Sequence, residues 1–185
     1  MNEEKALMDF LLDIQCLFPL TEWNRKFNLF DVLKISTMEI RHSNLLAWLL
    51  TPNENHGLGN SVLQRLLQKT TERPGTKWGN TFKAPLIDLD SFVIFREYKH
   101  IDILAVSKKE KFLLCIENKV FSKEHDHQLS RYYSLLENEY HGYMKVFVYL
   151  TPYGDLPEEE EMQKNWQTLN YQEVMEIITS VLEKR

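Results

Sequence analysis

The distribution of apolar residues in the first half of the chain predicts helices separated by loops. Apolar residues recur at helical spacing in residues 3–18 and 36–51, and a proline follows each of these segments directly. Residues 61–68 read as a short helix, after a loop that contains two glycines. Residues 70–89 contain two prolines and two glycines without periodicity, which indicates a long irregular connection.

The second half of the chain contains short apolar segments of strand length. They predict strands at residues 91–99, 100–107, 111–120 and 145–150, and a final short strand at residues 166–169. Helices are predicted at residues 123–140 and after Asn170, where Asn170 and Glu173 have the spacing of a capping box. We therefore expect an α/β fold with a mixed four- to five-stranded sheet flanked by helices.

Two of these apolar segments carry acidic residues. If Lys109 and Glu110 form a two-residue hairpin turn, paired positions sum to 219 and Asp102 lies directly opposite Glu117, which begins a Glu-x-Lys motif ending at Lys119. The two carboxylates would then be about 5 Å apart on one sheet face. Like charges at that distance repel each other, and a divalent cation is the commonest resolution. The pattern therefore predicts a metal-dependent phosphodiesterase site.

The ordered set of elements resembles the PD-(D/E)XK nuclease superfamily, in which an aspartate ends one strand and a Glu-x-Lys lies on the next. The likeness extends to EIRHSNLLAWLLTPNENHGLG at residues 39–59, IENK at residues 116–119 and HQLSRYY at residues 127–133, which look like a bacterial branch of that superfamily. The resemblance implies a restriction-endonuclease-like core, and we expect residues 1–185 to form a single domain of this kind.

The resemblance also implies which residues form the site. Asp102, Glu117 and the backbone carbonyl of Asn118 would bind the metal, and three oxygen ligands favour Mg²⁺ or Mn²⁺. Lys119 would hold the attacking water or stabilise the charge that develops on the phosphate. The alternative for Asp102 is a structural ion pair, and for Glu117 and Lys119 it is a surface pair at a strand end.

Glu39 and Gln128 complete the predicted site. A capping box with Ser36 would explain Glu39 without catalysis, whereas the resemblance places a helix glutamate at the metal, directly or through water. Gln128 shares a helix face with Tyr132, and the resemblance places such a glutamine near the lysine. Glu97 is a rival or supporting acid, and packing within the helix is the alternative for Tyr132.

Charge is distributed unevenly along the chain. The formal net charge is -5, and residues 155–185 carry eight acidic and three basic side chains, which accounts for all of it. A basic face for nucleic acid therefore remains open on the rest of the chain. Since an acidic segment repels phosphates, we expect these residues to pack on the side of the sheet away from Asp102 and Glu117. We expect four apolar side chains of that segment to be buried: Val174, Ile177, Ile178 and Leu182.

Composition limits the remaining function classes. The chain has no run of 18 apolar residues and no apolar core of an export signal near its first residue, so we expect a cytoplasmic protein without a membrane span. Cys16 and Cys115 lie in apolar segments and are expected to be buried free thiols.

These observations together lead to one expected function and two alternatives. We expect a metal-dependent nuclease that acts on DNA. A catalytically inactive nucleic-acid-binding or protein-interaction module on the same fold stays open, as does an RNA-directed defence nuclease. His100 stands where this branch tends to have an arginine, which bears on phosphate contact and leaves the metal ligands unaffected. Assembly as a homodimer or with a partner protein is also left open.

Overall fold

The structure is a computed structural model that describes residues 37–71, 87–120 and 127–184, together with Val32 and Lys34. The chain divides into two compact units, Met1–Ser36 and Thr37–Arg185, and the elements given below belong to the second. The helix predicted at residues 3–18, Cys16 and most of the predicted connection at residues 70–89 lie outside the described residues. A single domain over residues 1–185 stays a prediction.

Five helices and five strands are described. In chain order they are α1 (Glu39–Leu50), α2 (Ser61–Thr71), β1 (Val93–Tyr98), β2 (Ile101–Ser107), β3 (Phe112–Asn118), α3 (Gln128–Glu139), β4 (Met144–Thr151), α4 (Glu160–Asn165), β5 (Trp166–Asn170) and α5 (Tyr171–Leu182); a short 3-10 turn, Leu89–Ser91, precedes β1. None of the helices in these described parts of the chain is long and apolar enough to cross a membrane.

The strands form one sheet in the order β1-β2-β3-β4-β5. The pairs β1–β2 and β2–β3 are antiparallel, whereas β3–β4 and β4–β5 are parallel. The predicted mixed α/β sheet flanked by helices is therefore confirmed, with five strands. Because β3, β4 and β5 run in the same direction, all three end at one edge of the sheet, and β2 begins at that edge.

Both faces of the sheet are covered, which explains why β3 is buried at every position and reads as a continuous apolar run. Helices α1, α2 and α5 pack on one face, and α3 and α4 pack on the other. Side chains alternate between the two: Ile103, Ala105, Leu114 and Ile116 face the first group, and Leu104, Val106, Leu113 and Cys115 face the second. Cys115 is a buried free thiol, as expected.

The β2–β3 hairpin has the predicted register and a longer turn. Ser107 pairs with Phe112, and Ile103 pairs with Ile116, so the paired positions sum to 219. The expected two-residue turn is wrong, because the turn occupies residues 108–111. The register survives because lengthening the turn by one residue on each side leaves every pair unchanged.

The sequence predicts capping boxes at the start of two helices, α1 and α5. Helix α1 begins at Glu39 after an N-cap, Met38, whose side chain makes no capping bond, and Ser36, on which the predicted capping box depends, lies outside the described residues. The capping box of Asn170 and Glu173 is present at the start of α5.

Four apolar residues of α5 are predicted to be buried, and the structure differs from this prediction at the last of them. Val174 and Ile177 are buried as predicted, and Ile178 is partly buried against the same core. Leu182 is 52% exposed, so its predicted burial is wrong. Val181 is buried instead, since it lies four residues after Ile177 on the face that contacts the sheet.

Candidate functional site

The edge where β2 begins and β3 ends brings the predicted acids together. Leu104 pairs with Cys115 on the face covered by α3, and the same register places Asp102 opposite Glu117 two positions further on. The two groups are close enough to interact, because the charge of Asp102 is among the causes that raise the pKa of Glu117. The structure therefore places both carboxylates on one face at one edge.

Glu117 is the most deeply buried acid of this edge, with 1% of its surface exposed. Its Oε1 lies 3.1 Å from the Nζ of Lys119, while its Oε2 is buried without a hydrogen-bond partner in the described residues. Burial raises the pKa of Glu117 to about 8, the charge of Asp102 adds to this rise, and the nearby ammonium opposes it. The raised pKa shows that burial outweighs the attraction of the lysine.

Asp102 is held by the main chain of the opposite strand. Its Oδ2 accepts a hydrogen bond of 2.8 Å from the backbone N–H of Asn118. Burial raises the pKa of Asp102, and this effect exceeds the opposing effects of the Asn118 bond and the charge of Lys119. The charges of Glu39 and Glu97 raise that pKa further, so several acids converge here.

Glu39 reaches this edge from α1. Its Oε1 accepts a bond of 2.9 Å from the backbone N–H of Val120, directly after Lys119. Its charge also raises the pKa of Glu117. The side chain of Glu39 therefore binds the segment that leaves β3 and lies beside the two acids.

Gln128 approaches this edge from α3, which covers the face of the sheet opposite to α1. Its Nε2 donates to the hydroxyl of Tyr132 at 2.9 Å, and that hydroxyl donates to the carbonyl of His100 at 2.6 Å. Burial raises the pKa of Tyr132, and the charges of Glu117 and Asp102 add to the rise. The two α3 residues thus hold the turn that leads into Asp102, as their shared helix face indicated.

A family comparison identifies the kind of protein that carries this arrangement. The family model of the PD-(D/E)XK nuclease superfamily matches residues 27–185. The chain belongs to this superfamily. The predicted resemblance and the restriction-endonuclease-like fold are both confirmed. Comparisons with curated proteins and with solved structures found no match. Proteins of the superfamily are generally nucleases and typically use divalent metal ions.

The oxygen atoms of the edge fit the hard divalent cation that the superfamily implies. Glu117 has a buried oxygen that has no hydrogen-bond partner among the described residues, and the carboxylate of Asp102 lies opposite it on the neighbouring strand. No group of three or more His, Cys, Asp or Glu side chains in the described parts of the chain has the arrangement of a metal site. A main-chain oxygen would supply the further ligand of a superfamily site, and Glu39 already uses one oxygen for Val120.

Sequence reasoning missed two residues beside the site, Ser43 and Tyr171. Ser43 Oγ accepts a bond of 3.0 Å from the side chain of Asn118, and the Tyr171 hydroxyl donates one of 2.7 Å to the same side chain. The expectation that residues 155–185 pack on the side of the sheet away from Asp102 and Glu117 holds for α5, which packs on the other face, and is wrong for Met162 and Trp166, which pack on the face of these acids. Tyr171 nevertheless reaches the side chain of Asn118 from that other face. The reason is that β5 is parallel to β4, so that α5 begins at the edge where β3 ends.

Titration of Glu117 should make the stability of the metal-free protein depend on pH. Its pKa is raised from 4.5 to about 8, so between these values the folded protein retains a proton that the unfolded chain releases. The retained proton stabilises the folded protein fully below the unfolded-state pKa of 4.5, and this stabilisation is lost as the pH rises through the folded-state pKa of about 8. We expect the thermal midpoint in a chelator to fall over this range, and Glu117→Gln to flatten the fall.

A pH series of thermal melts measures this effect. The exposed residue Glu54 offers a control, because Glu54→Gln removes a carboxylate outside the site. Equal pH slopes for wild type and Glu117→Gln would contradict the assignment of the slope to Glu117.

Proposed function

We propose that the protein is a metal-dependent nuclease that hydrolyses phosphodiester bonds, with DNA as its substrate. The observation that carries this proposal is the buried Glu117, which faces Asp102 and contacts Lys119 at 3.1 Å. Two acids and a lysine gathered at one sheet edge have no packing function there, since burying such charges costs free energy. Membership of a nuclease superfamily supports nucleic acid as the substrate.

Asp102, Glu117 and the carbonyl oxygen of Asn118 would hold the cation, which we propose to be Mg²⁺ or Mn²⁺. Such a cation, when bound, polarises a scissile phosphate and lowers the pKa of water. The local charge favours a cation, because the charges of Asp102 and Glu39 both raise the pKa of Glu117 while the ammonium of Lys119 opposes them. The burial that raises both acid pKa values also strengthens their attraction for a cation.

Lys119 is placed to act on the reacting groups. Its backbone N–H donates to the carbonyl of Leu150 at 2.8 Å, which fixes the chain as it leaves β3. Its side chain is 9% exposed and ends beside Glu117. A compact ammonium in a site of low dielectric can hold a water by hydrogen bonding and stabilise the negative charge that develops on a phosphate.

Glu39 and Gln128 have supporting roles in the proposed site. Glu39 adds negative charge beside Asp102 and bonds the backbone that follows Lys119. Gln128 acts through Tyr132 on the turn before Asp102. Assembly as a homodimer or with a partner protein stays a prediction.

Metal binding can be measured without any substrate. We expect wild type to bind Mn²⁺ in calorimetry and Asp102→Ala to lose that binding, while Asp155→Ala, a change at an exposed aspartate, keeps it. Because Glu117 must release its proton, the apparent Kd for Mn²⁺ should rise by about tenfold for each unit that the pH lies below its pKa of about 8. Equal Mn²⁺ affinity in wild type and Asp102→Ala would rule out this site.

Lys119→Ala should separate metal binding from chemistry. We expect Mn²⁺ affinity to stay nearly intact or rise slightly, because the change removes a nearby positive charge. Hydrolysis should fall by on the order of a hundredfold or more, since the loss concerns charge that develops only in the transition state. Both measurements belong at a pH above about 8, where Glu117 is ionised in wild type.

Assays on DNA and on RNA with the same protein decide the substrate class. Lys184→Ala is the control, since it removes a lysine from the exposed end of the chain. Full activity of Lys119→Ala on every nucleic acid that wild type cleaves would show that this lysine has no part in the reaction.

A further inference from the structure

The side chain of Asn118, the middle residue of the Glu-x-Lys motif, is bonded at both of its polar atoms. Its Nδ2 donates to Ser43 Oγ at 3.0 Å and lies 3.5 Å from the carbonyl oxygen of Glu39. Its Oδ1 accepts from the hydroxyl of Tyr171 at 2.7 Å. Asn118 and Ser43 are each 1% exposed, so protein groups rather than bulk water satisfy this amide.

The fold brings these three partners together from distant parts of the chain. Glu39 and Ser43 are four residues apart on α1 and therefore lie on the same helix face. Tyr171 is the first residue of α5 and follows directly after β5. Since β3, β4 and β5 end at one edge, Tyr171 emerges within reach of Asn118 across β4.

The main chain of Asn118 lies between this amide and the acids. Side chains alternate along β3, so Glu117 points to the face of α3 while Asn118 points to the face of α1 and α5. The backbone N–H of Asn118 holds Asp102 at 2.8 Å, and its carbonyl is the proposed main-chain ligand. A displacement of this one residue would therefore move the support of Asp102 and the carbonyl together.

We propose that Ser43 and Tyr171 are positioning residues of the metal site, which fix the main chain of Asn118 through its side-chain amide. The inference rests on the proposed function, because it names the support of that same site. Neither residue needs to touch metal or substrate to act. Residues that orient metal ligands in this indirect way commonly change metal affinity by about 10- to 100-fold when they are lost.

Tyr171→Phe isolates the hydrogen bond from charge and from packing. Burial raises the pKa of Tyr171 to about 12, so at neutral pH the hydroxyl is protonated and the side chain is neutral. The ring of Tyr171 contacts that of His42 edge-on, with centroids 5.7 Å apart, and phenylalanine keeps this contact. The substitution therefore removes one donor and leaves the charges of the site unchanged.

The experiment is an Mn²⁺ titration of the full chain by calorimetry without nucleic acid. We expect Tyr171→Phe and Ser43→Ala each to raise the Kd by about tenfold. The matched control is Ser180→Ala, which removes a hydroxyl on α5 that donates to the carbonyl of Ile177 at 2.7 Å. The control should bind Mn²⁺ like wild type, and the metal-free thermal midpoints of Tyr171→Phe and Ser180→Ala should be similar.

A double-mutant cycle tests whether Tyr171 acts through Asn118. In an Asn118→Ala background, Tyr171→Phe should change the Kd no further, because the acceptor of its bond is already gone. If Asn118→Ala does not fold, Asn118→Leu, which is close in volume, takes its place. An equal loss of affinity in both backgrounds, or a Kd for Tyr171→Phe within twofold of wild type, would overturn the inference.

Asp102→Ala separates this inference from the proposed function. If wild type binds Mn²⁺ and Asp102→Ala does not, the site exists, and the Tyr171 and Ser43 variants then decide the positioning role alone. If wild type binds no Mn²⁺, both proposals fall. A second readout is the split of the kinetic constants, since a positioning role predicts a lower kcat at saturating metal with KM for nucleic acid nearly unchanged.

Discussion

The burial of Glu117 opposite Asp102 is the constraint around which this edge of the molecule is organised. An ionised carboxylate in an apolar interior is unstable unless a cation or hydrogen bonds compensate for the lost water. Here one oxygen of Glu117 contacts Lys119, the other has no partner in the described residues, and the pKa rises to about 8. In the metal-free protein, the carboxyl group of Glu117 therefore keeps its proton up to a pH of about 8. In the proposed metal-bound form, the same burial favours binding of the cation by the ionised carboxylate.

The sheet topology buries the two acids and also places the side chains that contact them at the same edge. Antiparallel β2 begins where parallel β3, β4 and β5 end, so residues from four strands meet at one edge. Helices cover both faces there, and this exclusion of water raises the pKa values of the two acids. Helix α1 adds Glu39 from one face, and α3 adds the Gln128–Tyr132 pair from the other. The site therefore depends on three layers of structure.

The features of the site that the sequence predicted correctly depend on residues that are close together in the sequence. Alternation and hairpin pairing are local, so they placed Asp102 opposite Glu117 in the observed register even though the turn was longer than expected. The contact that holds Glu39 at this edge is not local, because the bond from the backbone of Val120 to Glu39 joins residues 81 positions apart. Ser43 and Tyr171 are 75 and 53 positions from Asn118. The packing of α1 on the sheet brings Ser43 to Asn118, and the parallel crossovers bring Tyr171 there. Hydrophobic periodicity does not reveal either arrangement.

The side chains of the motif divide into two groups, and this division separates chemistry from support. Glu117 lies opposite Asp102 and contacts the ammonium of Lys119, whereas the side chain of Asn118 faces α1 and α5. The middle position is held from both helices, since α1, β3 and α5 all meet there. A neutral amide suits this place because it offers a donor to one helix and an acceptor to the other without adding charge beside the acids. A change in its partners alters the geometry of the site while leaving its electrostatic field in place, which is why affinity for a cation reports on Tyr171 more directly than stability does.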